Sequence, residues 1–470
     1  MISLSSSIIH ILHTNDLHSR LEQWPKIVSL LTEKRKSFEQ NGESVLVFDI
    51  GDHADRVHPL TEASLGKVNV LLMNEVSYNA VTIGNNEGIT ISKQALNELY
   101  DDANFPVLVA NLFDQSGKRP GWLKPYEIMK LPNDLTVGVI GMTIPFRPFY
   151  DALDWNIEDP FALLPTIVKE VREQADLVIL LSHLGLNLDE EVAKQIDDID
   201  IILGGHTHDV LEEGLYINNT IIHQAGKFGT YVGELSFSYD HQNKQILNYQ
   251  AKCLHVNEYP ACKQTVEKIT TISQQKQPIL DEEILSLTKQ LPISWDKPSP
   301  FASFLATAVK EWCRAEVGMI NSGLLLEGLK VGAVTRADLH RICPHPINPC
   351  KLEISGKVLK ETILYSLSEK MVFKEIRGFG FRGSVMGIMV FDGVTYEEKK
   401  LNDGLSHITN IKINGNEIEP DRVYKVATID MFAFAHFYPA LVEAKVKKYY
   451  MPELLRDLIA WKLQESASDL

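Results

Sequence analysis

Six short apolar runs rich in β-branched residues punctuate the first 250 residues, at 8–12 (IIHIL), 45–48 (VLVF), 81–83 (VTI), 137–140 (VGVI), 177–181 (LVILL) and 199–203 (IDIIL). Each is followed by a polar loop and then by a stretch with helical spacing, such as Pro25 to Phe38 and Pro160 to Gln174. Near-continuous apolar strands alternating with helices predict an α/β domain whose sheets are covered on both faces. Apolar and polar residues alternate at 220–223 and 232–237, which predicts antiparallel strands closing that domain.

Residues 256–290 show no strand pattern and read as helix plus connector. Beyond them a second α/β region carries helices near Phe301 to Val317 and Ser355 to Ser368. A chain of 470 residues exceeds one ordinary core. The expected organisation is a first domain over 1–255, a helical linker over 256–290 and a second domain over 291–470.

Composition narrows the partners. Hydrophobic residues are 44% and charged residues 23%, the range of a soluble globular protein, and the formal net charge is −16. That surplus of acid disfavours nucleic acid and anionic membranes, while a small anionic substrate remains possible if cations reverse the sign locally. No apolar run is long enough for a membrane span. The five cysteines include none in the first 250 residues and no CxxC spacing, which suggests reduced thiols. Together with an N-terminus that lacks a basic region and a small-residue cleavage site, this gives a cytoplasmic expectation. Nothing in the pattern fixes an oligomeric state.

Candidate chemistry falls just after the predicted strands. The first leads to Asp16 and His18 in HTNDLHS, the second to Asp52 in DIGDHADR and the third to Asn85 in GNNE. Later ones lead to His183 in LLSHLG and to His206 and His208 in GGHTHD. Ligands gather at the carboxyl ends of strands in open α/β sheets, so five distant segments can converge. Residues two apart in extended chain point the same way, which would present Asp16 with His18 and His206 with His208. Carboxylate, imidazole and amide oxygen without thiolate suit Mn²⁺, Fe or Zn²⁺. Seven ligands are too many for one tetrahedral ion and suit a pair of ions sharing a carboxylate. His10, His13 and His223, in or beside predicted strands, are assigned to packing or support.

This ordered set resembles the calcineurin-like metallophosphoesterases. LHTNDLHSRLE, SHLG and GGHTH narrow the resemblance to the 5′-nucleotidase branch, over nearly the whole chain. It implies a four-layer metallophosphoesterase sandwich followed by an α/β substrate-recognition domain. It also implies two divalent metal ions, Mn²⁺ first, with Zn²⁺, Fe²⁺, Co²⁺ or Mg²⁺ as alternatives. One ion would be held by Asp16, His18, Asp52 and His208. The other would take Asp52, Asn85, His183 and His206, with Asp52 bridging.

The chain departs from that family at informative positions. A histidine usually follows the ligand asparagine, with an aspartate three residues later to orient it; here these are Asn86 and Ile89. General-acid help of this kind is worth ~10²–10⁴ in rate. His53, and His58 in the same loop, are candidates for a replacement acid. Asn86 could itself donate to a phosphoryl oxygen. In the second domain INSGLLLEGL resembles an N-x-G-G-x-R segment without its arginine, which marks Asn321 and Gly323. CPHPINPC marks His345 and Asn348, RGFGFRG marks Arg377 and Arg382 as replacement cations, and ATIDMFAFAHFYP marks Phe432 and Phe434 for stacking on a base.

The reading is a two-metal hydrolase of phosphate esters, of 5′-nucleotidase type, acting on nucleotides or related small phosphates. The alternatives are a cyclic-nucleotide phosphodiesterase or nucleotide-sugar or dinucleotide pyrophosphatase, and a metal- and nucleotide-binding regulatory protein with little turnover.

Overall fold

A computed structural model describes residues 6–400 and 406–466. The chain divides into two compact units, Met1–Lys276 and Gln277–Leu470. In the first unit two sheets stack. One has the strand order Gln245–His255, Tyr231–Asp240, Ser6–Thr14, Ser44–Asp49, Ala80–Val81, Val107–Leu108 and Leu123–Lys124. The other runs Leu215–Ile217, Thr220–His223, Ile201–Gly204, Leu177–His183, Thr136–Thr143 and Tyr126–Lys130.

Alternate side chains of each strand feed different layers. Ile179 and Leu181 meet Ile9, Ile11, Phe48 and Phe237 between the sheets. Val178 and Leu180 face the other way, among Leu164, Val168 and Val171 of the helix Pro160–Arg172 and Val192 of Leu186–Gln195. The helix Trp24–Gln40 buries Ile27, Leu30 and Leu31. Helix, sheet, sheet, helix is why the central strands read as unbroken apolar runs: both faces are covered. The four-layer α/β expectation holds, and so do the antiparallel strands at 220–223 and 231–240, the first pairing with 215–217 and the second with 6–14.

The parallel register positions the chemistry. Ser6–Thr14, Ser44–Asp49 and Ala80–Val81 run parallel in one sheet, and Leu177–His183 and Ile201–Gly204 run parallel in the other. Their carboxyl ends carry the five segments singled out above. His13 and His223 pair with each other inside the unit, Nε2 to Nδ1 at 2.8 Å, and both are fully buried.

The second unit centres on a five-stranded sheet, Met389–Asp392, Val317–Asn321, Val423–Ile429, Pro349–Ser355 and Val446–Tyr449. Helix Pro300–Cys313 ends earlier than expected, because Arg314 turns left-handed (φ 51°) and the chain enters the strand at Val317. Helix Gly356–Ser366 starts on Ser355, whose hydroxyl accepts from Val358 N–H. The expectation of helix and connector over 256–290 needs correcting. Helix Lys263–Leu280 is followed by a strand, Glu283–Leu287, antiparallel to Gly332–Thr335. Only Leu287 of that strand is buried, so its pattern carried too little apolar signal to register. Among the described residues no helix is long and apolar enough to cross a membrane.

Candidate metal centre

The loops after the strands do not present their ligands by alternation in extended chain, as the sequence suggested. Five of the seven candidates sit in left-handed backbone: Asp16 (φ 50°), His18 (48°), Asp52 (51°), His206 (74°) and His208 (66°). Such backbone is sparsely populated outside glycine and is held only where the surroundings over-determine it. Here they do. Asp16 N–H donates to Gly51 C=O (3.0 Å) and His18 N–H to Asp52 C=O (2.8 Å), so the first and second loops lock each other. His206 N–H donates to the Asp16 carboxylate at 3.0 Å, which ties in the last loop.

All seven candidates converge. Asp16 Oδ1 lies 3.4 Å from His208 Nε2 and 3.9 Å from His18 Nε2, and the two imidazole Nε2 atoms are 3.1 Å apart. On the other side, His206 Nδ1 lies 2.8 Å from Asn85 Oδ1, and the His183 and His206 rings are 5.3 Å apart. Asp52 faces both halves. Its Oδ2 is 3.7 Å from His18 Nε2, and its Oδ1 is 3.5 Å from His183 Nε2. Asp16 also groups with both sides. What sets Asp52 apart is that its two oxygens face different halves, Oδ2 towards His18 and Oδ1 towards His183.

The donor set fits divalent cations. His183 Nδ1–H donates to Ile50 C=O at 2.8 Å, while its buried Nε2 has no hydrogen-bond partner among the described residues. An orphaned imidazole nitrogen aimed at a carboxylate is a metal ligand's posture. The carboxylates leave negative charge that calls for a cation: burial disfavours the charged form of His183, but Asp52 and Asp16 outweigh it and push this imidazole up to about 10, a proton standing where a metal ion would. Burial pulls His206 down to about 4, with charged His183 adding to the effect, so His206 is a neutral donor. Gly84 leaves the room required: a Cβ there would come 2.0 Å from Asp52 Oδ1 and 2.6 Å from Asp52 N.

Glu87 was missed by the sequence reading, and it organises the site. Its fully buried carboxylate accepts N–H groups from Asp52 (3.0 Å), Gly84 (2.9 Å) and Ala54 (2.7 Å), joining the second and third loops. Burial, then the nearby Asp52 charge, pushes it up to about 7. The signal was present, since a glutamate three residues after Gly84 has the spacing of a helix-starting capping box.

Asn86 is placed differently from expectation. Its backbone N–H donates to Asp52 Oδ1 (2.8 Å) and its side-chain amide donates to Asp52 Oδ2 (3.1 Å), with Nδ2 also 2.9 Å from His18 Nδ1. It is buried and braces Asp52 and His18 rather than offering its amide outward. His53 is buried as well. Its ring packs edge-on against Trp24 (4.9 Å), Nδ1 meets Asn69 Nδ2 (3.2 Å), and burial pulls it down to about 3. Its buried Nε2 has no hydrogen-bond partner among the described residues. His58 Nδ1 accepts Leu60 N–H at the start of the helix Pro59–Ser64.

In the second unit most of the marked residues support the fold. Phe432 is fully buried and packs on Tyr438 (4.9 Å), so it has no face to offer a base. His345 is buried, stacks on Phe381 (5.1 Å, 2° between planes), and holds Leu324 C=O through Nε2 and Arg382 N–H through Nδ1. Asn321 Nδ2–H donates to Met386 C=O, and a Cβ on Gly323 would strike Val385 O at 2.1 Å. Asn348 bonds Asp430 through its backbone N–H and Glu453 C=O through its amide. Phe434 is partly exposed beside Phe379 (6.1 Å), the side chain of Arg377 is 91% exposed, and Arg382 is half-buried.

Residues 9–210 match the calcineurin-like phosphoesterase model and residues 283–437 the 5′-nucleotidase C-terminal domain model. An uncharacterized metallophosphoesterase of Bacillus subtilis, YunD, is 44% identical over 97% of this chain and 99% of its own length. The chain belongs to the calcineurin-like metallophosphoesterases. This phosphoesterase is also 25% identical, over 89% of its length, to the trifunctional nucleotide phosphoesterase YfkN of B. subtilis, of which it spans 31%. Its fold matches the NAD nucleotidase of Haemophilus influenzae with a TM-score of 0.70 at 16% identity, covering 98% of this chain and 97% of that one. It is a metal-dependent phosphoester hydrolase.

Proposed function

We propose that this phosphoesterase hydrolyses nucleotides or related small phosphates, with a preference for leaving groups that need no proton. One divalent ion would be held by Asp16, His18, Asp52 and His208, and a second by Asp52, Asn85, His183 and His206. Mn²⁺ suits this oxygen and nitrogen set, as do Zn²⁺, Fe²⁺, Co²⁺ and Mg²⁺. Such ions supply Lewis-acid charge to phosphoryl oxygens and lower the pKa of an attacking water. The chain's own groups do the rest: Glu87 and Asn86 hold Asp52 in place, and the left-handed loops keep the ligands preorganised.

The observation that carries the reading is the fate of Asn86. Every ligand position is kept, yet the residue that could have assisted the leaving group is bonded inward to Asp52 and His18. An activated phenolate or a phosphate leaves unaided, whereas an alkoxide such as a ribose 5′-oxygen needs a proton. A panel of nitrophenyl phosphate, AMP, cyclic nucleotides and nucleoside diphosphates with Mn²⁺ should show at least ~10-fold lower kcat on AMP than on the activated substrates. Equal rates would sink the preference, and metal uptake without any turnover would favour the regulatory reading.

Asn86→His alone should lower activity, because it removes the amide from Asp52 and nothing orients the new ring. Asn86→His with Ile89→Asp should raise kcat on AMP by up to ~10² relative to nitrophenyl phosphate. An unchanged AMP to nitrophenyl ratio would reject the leaving-group argument.

Recognition of the organic part falls to the second unit, with Phe434 its exposed aromatic in the marked segment. Phe434→Ala should raise KM for a nucleotide and leave nitrophenyl phosphate unchanged. Phe432→Ala should instead destabilise the unit by about 3–5 kcal/mol, as for other buried phenylalanines. Urea unfolding and steady-state kinetics on the two variants separate these roles; a KM effect from Phe432→Ala in a fully stable protein would reverse the assignment.

A further inference from the structure

The seven-stranded sheet of the first unit ends on a long strand. Gln245–His255, 11 residues, pairs with Tyr231–Asp240 on one side only. The other terminal strands of the two stacked sheets are short: Leu123–Lys124 has 2 residues, Leu215–Ile217 has 3, and Tyr126–Lys130 has 5, with Glu127 and Lys130 among them. In antiparallel pairing, successive residues turn their N–H and C=O groups alternately to the two sides. Val256 N–H donates to Thr230 C=O, so the backbones of Leu254, Lys252, Gln250 and Asn248 face Tyr231–Asp240, and those of Tyr249, Ala251, Cys253 and His255 face outward. Among the described residues no hydrogen bond reaches the outward groups.

A row of unpartnered backbone groups is complementary to another strand. Proteins that keep such an edge single place charges or bulges along it. A bulge does sit near the start of this one, where the register shifts between Ser238 and Tyr239, but from Asn248 onward the pairing is regular. Lys252 is the strand's only Lys, Arg, Asp or Glu, in a chain with 23% charged residues and a formal net charge of −16. A second copy, bearing the same surplus of acid, meets no carboxylate along this strand. Exposed apolar surface flanks it. Leu247 is 52% exposed, and Tyr216, on the edge strand Leu215–Ile217 of the other sheet, is 58% exposed and stacks on Tyr249 at 6.2 Å.

We propose that Gln245–His255 pairs antiparallel with the same strand of a second copy of this chain, joining two seven-stranded sheets into one across a two-fold axis. Centring the axis on Ala251 pairs all of Asn248–Leu254 with its copy. Ala251 then exchanges both backbone hydrogen bonds with its counterpart, and Tyr249 lies opposite Cys253. Gln250 lies opposite Lys252. Ala251 packs between the sheets, so Gln250 and Lys252 stand on the outer face, and both are exposed. The Gln250 amide oxygen accepts from the Lys252 ammonium of the other copy twice, once on each side of the axis. Centring on Lys252 instead would set two ammonium groups face to face, which like charges oppose. The edge therefore matches itself in one register, with backbone donors, acceptors and the lone charge all partnered.

Sedimentation equilibrium of the full chain should show a concentration-dependent dimer, and hydrogen exchange over 249–255 should slow as concentration rises. Gln250→Glu sets a carboxylate opposite Lys252 on each side of the axis and should tighten the dimer by about 2- to 30-fold. Gln250→Lys sets like charges opposite each other and should weaken it by a similar factor. Gln250→Lys/Lys252→Gln exchanges the two side chains and should return the dissociation constant to within ~3-fold of wild type. Both positions are exposed, and a gain of affinity in Gln250→Glu cannot come from a damaged fold. A wild type that stays monomeric at its highest soluble concentration, a dimer indifferent to both charges, or a shift of the opposite sign in either variant would overturn the inference.

Discussion

Asp52→Ala is expected to lose at least one metal equivalent and to reduce turnover by more than ~10³, the largest effect of any single side chain here. Asp52 turns one oxygen to His183 and the other to His18, so with the two ions held as proposed its loss would leave them facing each other with no shared anion. It also strands the backbone and amide N–H groups of Asn86 that donate to it. Asp52→Asn is the control: it keeps the shape and one of the two oxygens that accept from Asn86 but removes the charge. Both variants should lose metal if charge sharing is what Asp52 supplies. Plasma mass spectrometry on the purified proteins checks this, and a wild-type metal content in Asp52→Ala would show the assignment to be wrong.

Glu87→Ala should destabilise the first unit by about 3–6 kcal/mol and weaken metal uptake together. Three buried N–H groups, on Asp52, Gly84 and Ala54, would lose their acceptor, and each such loss costs about 1–3 kcal/mol. All three groups belong to the loops carrying Asp52 and Asn85, so the ligand geometry should relax with them. Glu87→Gln retains an acceptor oxygen but brings an N–H₂ towards backbone donors, and should fall between wild type and alanine. Urea unfolding with parallel metal titration decides the matter. A stable Glu87→Ala protein that binds metal normally would mean water replaces the carboxylate and the loops hold themselves.

Much of the first unit was legible because its signals are local. Strands covered on both faces leave continuous apolar runs, as at 177–181, and the ligand types follow them within a few residues. The strand Glu283–Leu287 was not legible, since it buries one side chain and exists only through its pairing with Gly332–Thr335. Phe432 and Phe434 look alike in sequence, two residues apart on one short helix, yet one is sealed in the core and the other reaches solvent. Periodicity over five residues cannot divide them, because the division is made by what packs against each face.

The same distinction runs through the metal centre. The order of aspartates, histidines and Asn85 along the chain sufficed to single out the residues that the fold brings together and to point to hydrolase chemistry, because donor type and the carboxyl ends of parallel strands are both readable locally. Only the tertiary structure showed that five of the seven candidate ligands stand in left-handed backbone held by crossed loop hydrogen bonds, and that Glu87 ties the loops of Asp52 and Asn85 together. It alone turned Asn86 inward and sent His53 into packing against Trp24. The physical reason is range. Donor chemistry and apolar periodicity are written into neighbouring residues, whereas the direction in which a buried amide or imidazole points is set by partners far away in sequence.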